Sequence, residues 1–163
     1  MNKASLKKLG QELNRQNPLT EHSMEFVASI NGVTYVNDSG SITVDNTWDS
    51  LNSCPENIIL IIGGIDNRND YSVIEELVSK KVKSLICLGT DNSKLMKGLL
   101  KTGKEMSAAV SVQDSVEMAA KISKEGDIVL FSPACPSYHP FDNYKNRGND
   151  FKRVVKSIQE KNK

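Results

Sequence analysis

The most constraining feature of this sequence is the run Asn57–Ile62, in which one asparagine is followed only by aliphatic residues. A strand with one face in water alternates apolar and polar residues. A continuous apolar run is instead typical of a strand that is covered on both faces, as in parallel sheets with helices on either side. The run therefore predicts a layered α/β fold.

Segments of strand and helix character alternate along the rest of the chain. Two β-prone runs, Met24–Ile30 and Val33–Asn37, are separated by Asn31-Gly32, a dipeptide that tolerates the positive φ angles of a tight hairpin turn. We therefore predict one Rossmann-like, doubly wound α/β domain over residues 1–163 (a leading helix at 1–17 and a core at 18–163), with a mostly parallel sheet, helices on both faces and an N-terminal antiparallel hairpin. Apolar spacing predicts helices at Lys3–Gln16, Thr43–Leu51, Tyr71–Lys81 (N-capped by Asp70), Asp91–Lys101, Asp114–Lys124 (N-capped by Asp114) and Asn149–Lys161, and further strands at Ser84–Leu88, Ala108–Val112 and Asp127–Phe131.

Charge and cysteine content restrict the partners and the cellular compartment that we expect for the chain. Twenty-one Lys and Arg residues balance twenty Asp and Glu residues, so no global field attracts nucleic acid or an anionic membrane. No apolar run approaches the roughly 20 residues of a membrane span. Cys54, Cys87 and Cys135 are odd in number and far apart, which indicates free thiols. We expect a cytoplasmic protein with neither nucleic-acid nor membrane partners.

Three predicted loops are rich in polar and turn-forming residues: Asn37–Ser41, Gly63–Asp70 and Ser132–His139. Each follows a predicted strand, and ligands of open α/β sheets bind beyond the carboxyl ends of the strands. We therefore expect the three loops to lie on one rim of the domain and to form a small-molecule site. Polar loops after strands are common without a ligand, so solvated turns remain the alternative.

Several kinds of chemistry receive little support from these loops. No Walker P-loop occurs, since the sequence lacks the GK[ST] element. Asp66 and Asp70 are two carboxylates that could share a cation, but carboxylates in loops are more often solvated or capping. Cys135 and His139 suggest a nucleophile and a base, without an accompanying oxyanion motif. The sequence thus predicts no catalytic and no metal-binding residue, and His22 is interpreted as a structural hydrogen-bonding group.

Short motifs between about residue 18 and residue 158 occur in the order and spacing of one family. The motifs are His22–Val27, Asn31–Val33, Asn37–Ser39, Thr47-Trp48, Gly63–Asp66, Asn69–Tyr71, Ser132–Cys135 with Ser137, and Asn143-Tyr144 followed by Arg147-Gly148 and Phe151. By these motifs the chain resembles the C-terminal domain of the Mur ligases, most closely of the D-glutamate-adding members, which act in peptidoglycan precursor synthesis.

The resemblance implies that the family's full-length enzymes have three domains with different roles. In the family, the first domain binds the UDP-sugar substrate, the central domain carries the P-loop and metal ligands, and the third closes over ATP and brings the amino acid. Only the third resembles this chain. ATP and Mg are therefore expected of the family's full-length enzymes, with no cofactor and no catalysis for this chain alone. The resemblance therefore favours a ligase C-terminal domain that does not act alone. One alternative is the acceptor-binding half of a split ligase, whose partner chain carries the other two domains. A second alternative is a non-enzymatic binding or regulatory module derived from the ligase domain.

Three positions keep the residue type that the family uses for ligand contact. By resemblance, Asp38 matches the acid that contacts the nucleotide, Ser137 the hydroxyl that contacts the acceptor carboxylate, and Tyr144 an aromatic residue near the acceptor. A structural interpretation stays open beside this one. In it, Asp38 and Ser39 cap the helix Thr43–Leu51, and Tyr144 is a packing residue.

Four other positions depart from the family pattern. Ser23 occupies the nucleotide-binding position of an Arg. On the substrate side, Gly40 and Ile42 stand where the family has Lys and Thr, and Asn67 (with Arg68 next to it) stands where a Lys pairs with the acceptor carboxylate. A carboxylate that loses a charge-assisted partner loses about 1.5–3 kcal/mol of binding. The missing cations therefore predict no measurable binding of D-glutamate, and the lack of a P-loop predicts no ATP hydrolysis by the chain alone.

Overall fold

The computed structural model of the protein describes residues 21–65, 68–137 and 143–163, so the predicted helix Lys3–Gln16 lies outside the described residues. Within these described residues, six strands and five α-helices follow one another, with 3₁₀ turns at Tyr71–Ile74 and Leu100–Thr102. The strands are β1 (Glu25–Ile30), β2 (Val33–Asn37), β3 (Ile58–Gly63), β4 (Val82–Leu88), β5 (Glu105–Ala109) and β6 (Ile128–Phe131). The helices are α1 (Val44–Ser53), α2 (Glu75–Lys81), α3 (Ser93–Gly98), α4 (Val112–Ile122) and α5 (Tyr144–Lys161).

The strands form one sheet in the order β1-β2-β6-β3-β4-β5. The β1 and β2 strands pair antiparallel, and all other neighbours pair parallel. Asn31 and Gly32 both have positive φ, 51° and 78°, as the hairpin prediction requires. The predicted α/β fold with an N-terminal hairpin is thus confirmed.

Apolar layers cover both faces of this sheet. In β3, Ile58, Leu60 and Ile62 pack with α1, α2 and α3 on one face, whereas Ile59 and Ile61 pack with α4 and α5 on the other. All five β3 side chains are fully buried, which is why the sequence there shows no polar alternation. None of the helices in the described part of the chain is both long and apolar enough to cross a membrane.

The predicted strand Ala108–Val112 is wrong in its position. The β5 strand ends at Ala109, and Val112 already begins α4. Ser111, rather than Asp114, caps that helix, because its hydroxyl accepts from the Asp114 amide at 3.0 Å. The Asp114 carboxylate in turn accepts from the Val110 amide at 3.2 Å. This reciprocal capping fixes the helix start at Val112, two residues before Asp114.

Three predicted helices differ from the observed ones at their ends. The first turn of Tyr71–Lys81 is a 3₁₀ turn, and Asp70 caps it by accepting from the Ser72 amide at 3.0 Å. The predicted helix Asp91–Lys101 is divided into the short α3 and a second 3₁₀ turn. The closing helix begins at Tyr144 instead of Asn149, because the Asn143 side chain accepts from two amides of its first turn.

The proposed capping of α1 by Asp38 and Ser39 is also wrong. Thr43 is the N-cap of α1, and its hydroxyl accepts from the Asn46 amide at 3.1 Å. A threonine with extended backbone placed just before the helix fulfils this role by itself. The Asp38 and Ser39 side chains are therefore available for other contacts, which are described below.

Candidate functional site

The loops that follow β2, β3 and β6 meet at one edge of the sheet, because these strands are parallel neighbours in the order β2-β6-β3. Backbone hydrogen bonds join the loops directly. The Gly63 amide donates to the Pro133 carbonyl at 2.9 Å, and the Ala134 amide donates to the Ser41 carbonyl at 3.0 Å. We call this edge the carboxyl-end rim and define it as residues 37–43, 63–65, 68–70 and 132–137. The expectation that the three loops share one rim is confirmed for their described residues.

Asp38 is a buried carboxylate at the centre of the rim. One oxygen accepts from three hydroxyls, those of Ser41 and Ser50 at 2.6 Å and that of Ser132 at 2.7 Å. The other oxygen accepts from the Met24 amide at 3.1 Å. Burial raises the pKa of Asp38, and the four hydrogen bonds partly offset that rise. The carboxylate therefore ties the hairpin, α1 and the loop after β6 to one point.

Arg147 is a buried cation in α5 that joins two loops of the rim. Its guanidinium donates to the Ser39 hydroxyl at 3.0 Å, to the Ser39 carbonyl at 2.8 Å and to the Cys135 carbonyl at 3.0 Å. Every contact is with a neutral oxygen, and no carboxylate of the described residues pairs with it. Burial lowers the pKa of Arg147 to about 10. A buried positive charge without a counter-ion favours an anion nearby.

His22 packs against the start of α5 and confirms the prediction of a structural hydrogen-bonding histidine. It is buried, and its Nδ1 lies 2.8 Å from the Asn37 side-chain nitrogen. The His22 ring meets the Tyr144 ring edge to face at 6.1 Å. A Cβ atom at Gly148 would lie 2.2 Å from His22 Nδ1, so only glycine permits this close approach.

The three cysteines are buried and form no disulfide, as the sequence predicts. Burial raises the pKa of Cys54 to about 12 and that of Cys87 to about 11, so both thiols are protonated near neutral pH. Cys135 lies within 3.4 Å of the Asn69 amide nitrogen. Its suggested base, His139, lies outside the described residues.

Two cavities open at the rim. The first, which we call the hairpin cleft, has a volume of about 390 Å³ and lies between the start of the hairpin and α1. Of the predicted site residues, it is lined by Ser23, Asp38, Gly40 and Tyr144. A Cβ atom at Gly40 would lie 2.9 Å from the His22 carbonyl oxygen, so a lysine cannot replace this glycine without a shift of the backbone.

The second cavity, which we call the switch-point cavity, has a volume of about 360 Å³. It lies where β3 and β6 are neighbours but continue into helices on opposite faces of the sheet. Ser137 lines this cavity. Ile42 is exposed and lines neither cavity, and Asn67 and Asp66 lie outside the described residues. The structure thus brings together four of the seven predicted binding residues and places Ser137 in a separate cavity.

The hairpin cleft does not fit the polyphosphate of a nucleotide. Its described lining contains the carboxylates Glu21, Asp38 and Asp49 and neither a lysine nor an arginine. Phosphate groups need cations or free backbone amides to replace their hydration. Metal ligands are similarly lacking, because the described ranges contain no group of three or more His, Cys, Asp or Glu side chains that could hold an ion.

Sequence reasoning missed several residues that shape the rim. Thr47, Ser50 and Ser132 form a hydroxyl network with the Asp38 carboxylate, and the Thr47 and Ser132 oxygens lie 2.9 Å apart. Thr47, Ser132 and Arg147 belong to the motifs of the family resemblance, but the sequence assigns none of them a contact at the rim. The sequence does not distinguish a buried serine or threonine from an exposed one. An arginine next to a glycine in an amphipathic helix, as in Arg147-Gly148, does indicate that another segment packs closely against the helix.

Comparison with solved structures defines the fold class. Over 95% of this chain and 36% of the other, the fold matches UDP-N-acetylmuramate-alanine ligase MurC from Thermotoga maritima, with a TM-score of 0.56 and 16% identity. The bifunctional folylpolyglutamate synthase/dihydrofolate synthase from Yersinia pestis matches over 86% of this chain and 32% of its own, with a TM-score of 0.60 and 11% identity. The domain therefore has the α/β fold found in these ligases.

Sequence comparison then assigns the family. The model of the Mur ligase, glutamate ligase domain matches residues 23–135, and the chain belongs to this family. It is 45% identical over 134 residues to UDP-N-acetylmuramoylalanine–D-glutamate ligase of Cytophaga hutchinsonii and 43% identical over 137 residues to that of Porphyromonas gingivalis. The alignments cover 82% and 84% of this chain. The chain spans 30% of the length of each of these two relatives.

Proposed function

We propose that this chain is the acceptor-side domain of a D-glutamate-adding ligase of peptidoglycan precursor synthesis, and that these 163 residues alone do not catalyse ligation. The relatives that carry this activity by name support the first part. The second part follows from the sequence, which contains no P-loop. Activation of a carboxylate by ATP then requires residues outside the 163, on the same polypeptide or on a partner chain.

The observation that carries the proposal is the charge of the hairpin cleft. Three carboxylates and no cation line its described part, at the place where the family binds a nucleotide. Asp38, the retained nucleotide-side acid, is buried and already accepts four hydrogen bonds from the protein. Lys152 compensates the charge of Glu21, but no lysine or arginine of the described residues lines the cleft to replace the hydration of a phosphate. We expect affinity for ADP to be weak in the absence of further domains.

Isothermal titration calorimetry with ADP and with D-glutamate tests this proposal. We expect no measurable binding of either ligand by the natural chain. Ser23→Arg adds a cation to the hairpin cleft and is expected to tighten ADP binding about tenfold or more, since a charge-assisted contact contributes about 1.5–3 kcal/mol. Ser23→Gln has a similar reach without the charge and serves as the control. Micromolar binding of ADP or D-glutamate by the natural chain would contradict the proposal.

The acceptor-side interpretation predicts a partner when the other domains are on a separate polypeptide. Affinity capture from native cells, followed by mass spectrometry, is expected to recover a chain with a P-loop. A monomeric species without such a partner would favour the alternative, a binding or regulatory module derived from the ligase domain. We propose a cytoplasmic location for either form, and the three cysteines, none of which forms a disulfide among the described residues, support it.

A further inference from the structure

A third cavity lies at the edge of the sheet opposite to the carboxyl-end rim, where the parallel strands begin. It has a volume of about 290 Å³ and lies between the Asn31-Gly32 turn and the carboxyl ends of α4 and α5. We call it the amino-end cavity. Its lining residues and their neighbours in sequence all belong to the described part of the chain, and none of them lines the hairpin cleft or the switch-point cavity. A ligand bound here is therefore distinct from a ligand of the rim.

The Glu125 carboxylate lines this cavity and is held in place by the hairpin turn. A Cβ atom at Gly32 would lie 2.6 Å from Glu125 Cγ, so the stem of Glu125 packs directly on the glycine backbone. The Gly126 amide donates to the Gly32 carbonyl at 3.0 Å and fixes the turn that carries Glu125. None of the described residues forms an ion pair or a hydrogen bond with the carboxylate. The cavity thus contains an oriented negative charge that is open to a ligand.

Two helices end at the same cavity and add to its negative potential. Ser123 is the C-cap of α4 and Asn162 is that of α5, and both residues line the cavity. The carboxyl end of a helix carries a partial negative charge, which favours a nearby cation. Lys121, Lys124 and Lys161 are close in sequence, but they are exposed and do not line the cavity, so salt screens their charges. The potential at the cavity therefore favours a cationic ligand.

The amide and serine donors at the cavity are engaged, whereas acceptors remain. The Asn31 side-chain nitrogen donates to Asn162 Oδ1 at 3.3 Å, and the Asn162 nitrogen donates to the Ile158 carbonyl at 2.8 Å. The Ser123 hydroxyl donates to the Ala120 carbonyl at 3.2 Å. No described residue donates to the side-chain oxygen of Asn31. An ammonium group has three donors and no acceptor, so it matches the groups that are left.

We propose that the amino-end cavity binds the ammonium group of a small primary aliphatic amine. The ammonium group donates to the Glu125 carboxylate and to the Asn31 oxygen, and the alkyl chain lies on the aliphatic residues Ile30, Val33 and Ile158 of the lining. A second ammonium group would lie on this apolar surface without a partner, which disfavours diamines. The inference goes beyond the proposed function, because it assigns a ligand class other than a nucleotide or D-glutamate to the opposite edge of the domain.

Titration of the ¹⁵N-labelled full chain with n-butylammonium at physiological salt, followed by two-dimensional NMR, tests the proposal. We expect the amide signals of Gly32 and Gly126, which adjoin Glu125, to shift, and those of Gly64 and Gly89 at the switch-point cavity to stay. The neutral n-butanol should bind about three- to tenfold more weakly, because it lacks the charge that Glu125 favours. Butane-1,4-diammonium should also bind more weakly. No shift with millimolar n-butylammonium, or equal binding of n-butanol, would overturn the inference.

A pair of variants with the same change in net charge separates the site from a general electrostatic effect. Glu125→Gln keeps the stem that packs on Gly32 and is expected to weaken n-butylammonium binding about three- to tenfold. The melting temperature of the ligand-free protein should not fall, since the carboxylate has no partner to lose. Glu117→Gln is the control, because Glu117 is exposed on α4 and does not line the cavity, and it should leave binding unchanged. Unchanged binding in Glu125→Gln, or an equal loss in Glu117→Gln, would overturn the proposal.

Discussion

Thr34 lies in β2, and its buried side-chain oxygen has no hydrogen-bond partner among the residues that the structure describes. Replacing the hydroxyl with a methyl group of similar size removes the cost of burying it unpaired. We therefore expect Thr34→Val to raise the free energy of unfolding by about 1 kcal/mol, measured by urea denaturation. Thr47→Val is the matched control, because the Thr47 hydroxyl lies 2.9 Å from that of Ser132. Its removal should lower the free energy of unfolding by about 1–2 kcal/mol. Equal losses in both variants would contradict this account.

His22 gives the folded protein a pH dependence at the scale of a single residue. Burial lowers the pKa of His22 below its ordinary value of 6.5, Lys152 and Lys145 act in the same direction, and Glu21 and Glu25 oppose them. The unfolded chain therefore takes up a proton that the folded protein takes up only at lower pH, so stability falls as the pH decreases below about 6.5.

Substitution of His22 isolates this contribution from those of the other titrating groups. Between about pH 7.5 and about pH 5.5, we expect the free energy of unfolding of His22→Gln to fall by about 1 kcal/mol less than that of the natural protein. Urea denaturation at both pH values measures the difference. Parallel pH profiles for the two proteins would show that His22 takes up its proton equally in the folded and unfolded states.

At the scale of the element, the sequence indicates which segments are helices and strands better than it indicates where they end. Apolar periodicity places every observed helix of the described residues and every strand except β5, which it displaces by three residues. The ends depend instead on single polar side chains, such as Ser111 at α4 and Asn143 at α5. The apolar pattern does not show which polar residue caps a helix. The predicted strand Ala108–Val112 failed because its last residue belongs to the helix that Ser111 caps.

Lys81 closes the carboxyl end of α1 from a neighbouring helix. Its ammonium group donates to the carbonyls of Leu51, Asn52 and Cys54 at 2.7–3.0 Å. The Leu51 carbonyl also accepts from the Cys54 amide at 3.3 Å, but carbonyls at a helix end lack the donors of a following turn, so Lys81→Met is expected to lower the free energy of unfolding by about 1–3 kcal/mol. Lys80→Met is the control: it removes an exposed ion pair with Glu76, and should change stability by less than about 0.5 kcal/mol. Thermal unfolding measures the stability of both variants. A similar loss of stability in Lys81→Met and Lys80→Met would contradict the capping role of Lys81.

At the scale of the whole molecule, the sequence predicts the class of fold but not the order of the strands. The last strand, β6, inserts between β2 and β3, which are consecutive along the chain. The four residues of Ile128–Phe131 are all apolar, and the structure buries all of them. This sequence pattern does not tell which two strands β6 pairs with. The same insertion brings Ser132 to Asp38 and places Ser137 in a cavity of its own. The rim was thus predictable, whereas its division into two cavities depends on tertiary packing.

Arg147 connects α5 with the two loops that this insertion brings together. Its planar guanidinium reaches Ser39 on one side and Cys135 on the other, and a single ammonium group cannot span both. Arg147→Lys is therefore expected to lower the free energy of unfolding by about 2–4 kcal/mol. It should also speed hydrogen exchange at the amides of Gly40 and Ala134, while amides within β4 keep their protection.

The control for this variant lies on the same helix. Arg153 is exposed and pairs with Asp150, so Arg153→Lys should change stability by less than about 0.5 kcal/mol. Hydrogen exchange followed by mass spectrometry distinguishes a local opening of the rim from a uniform loss of stability. If Arg147→Lys accelerates exchange equally in β4 and in the rim loops, then Arg147 supports the fold as a whole. A selective acceleration in the loops assigns it the specific task of holding the two cavities in their observed shape.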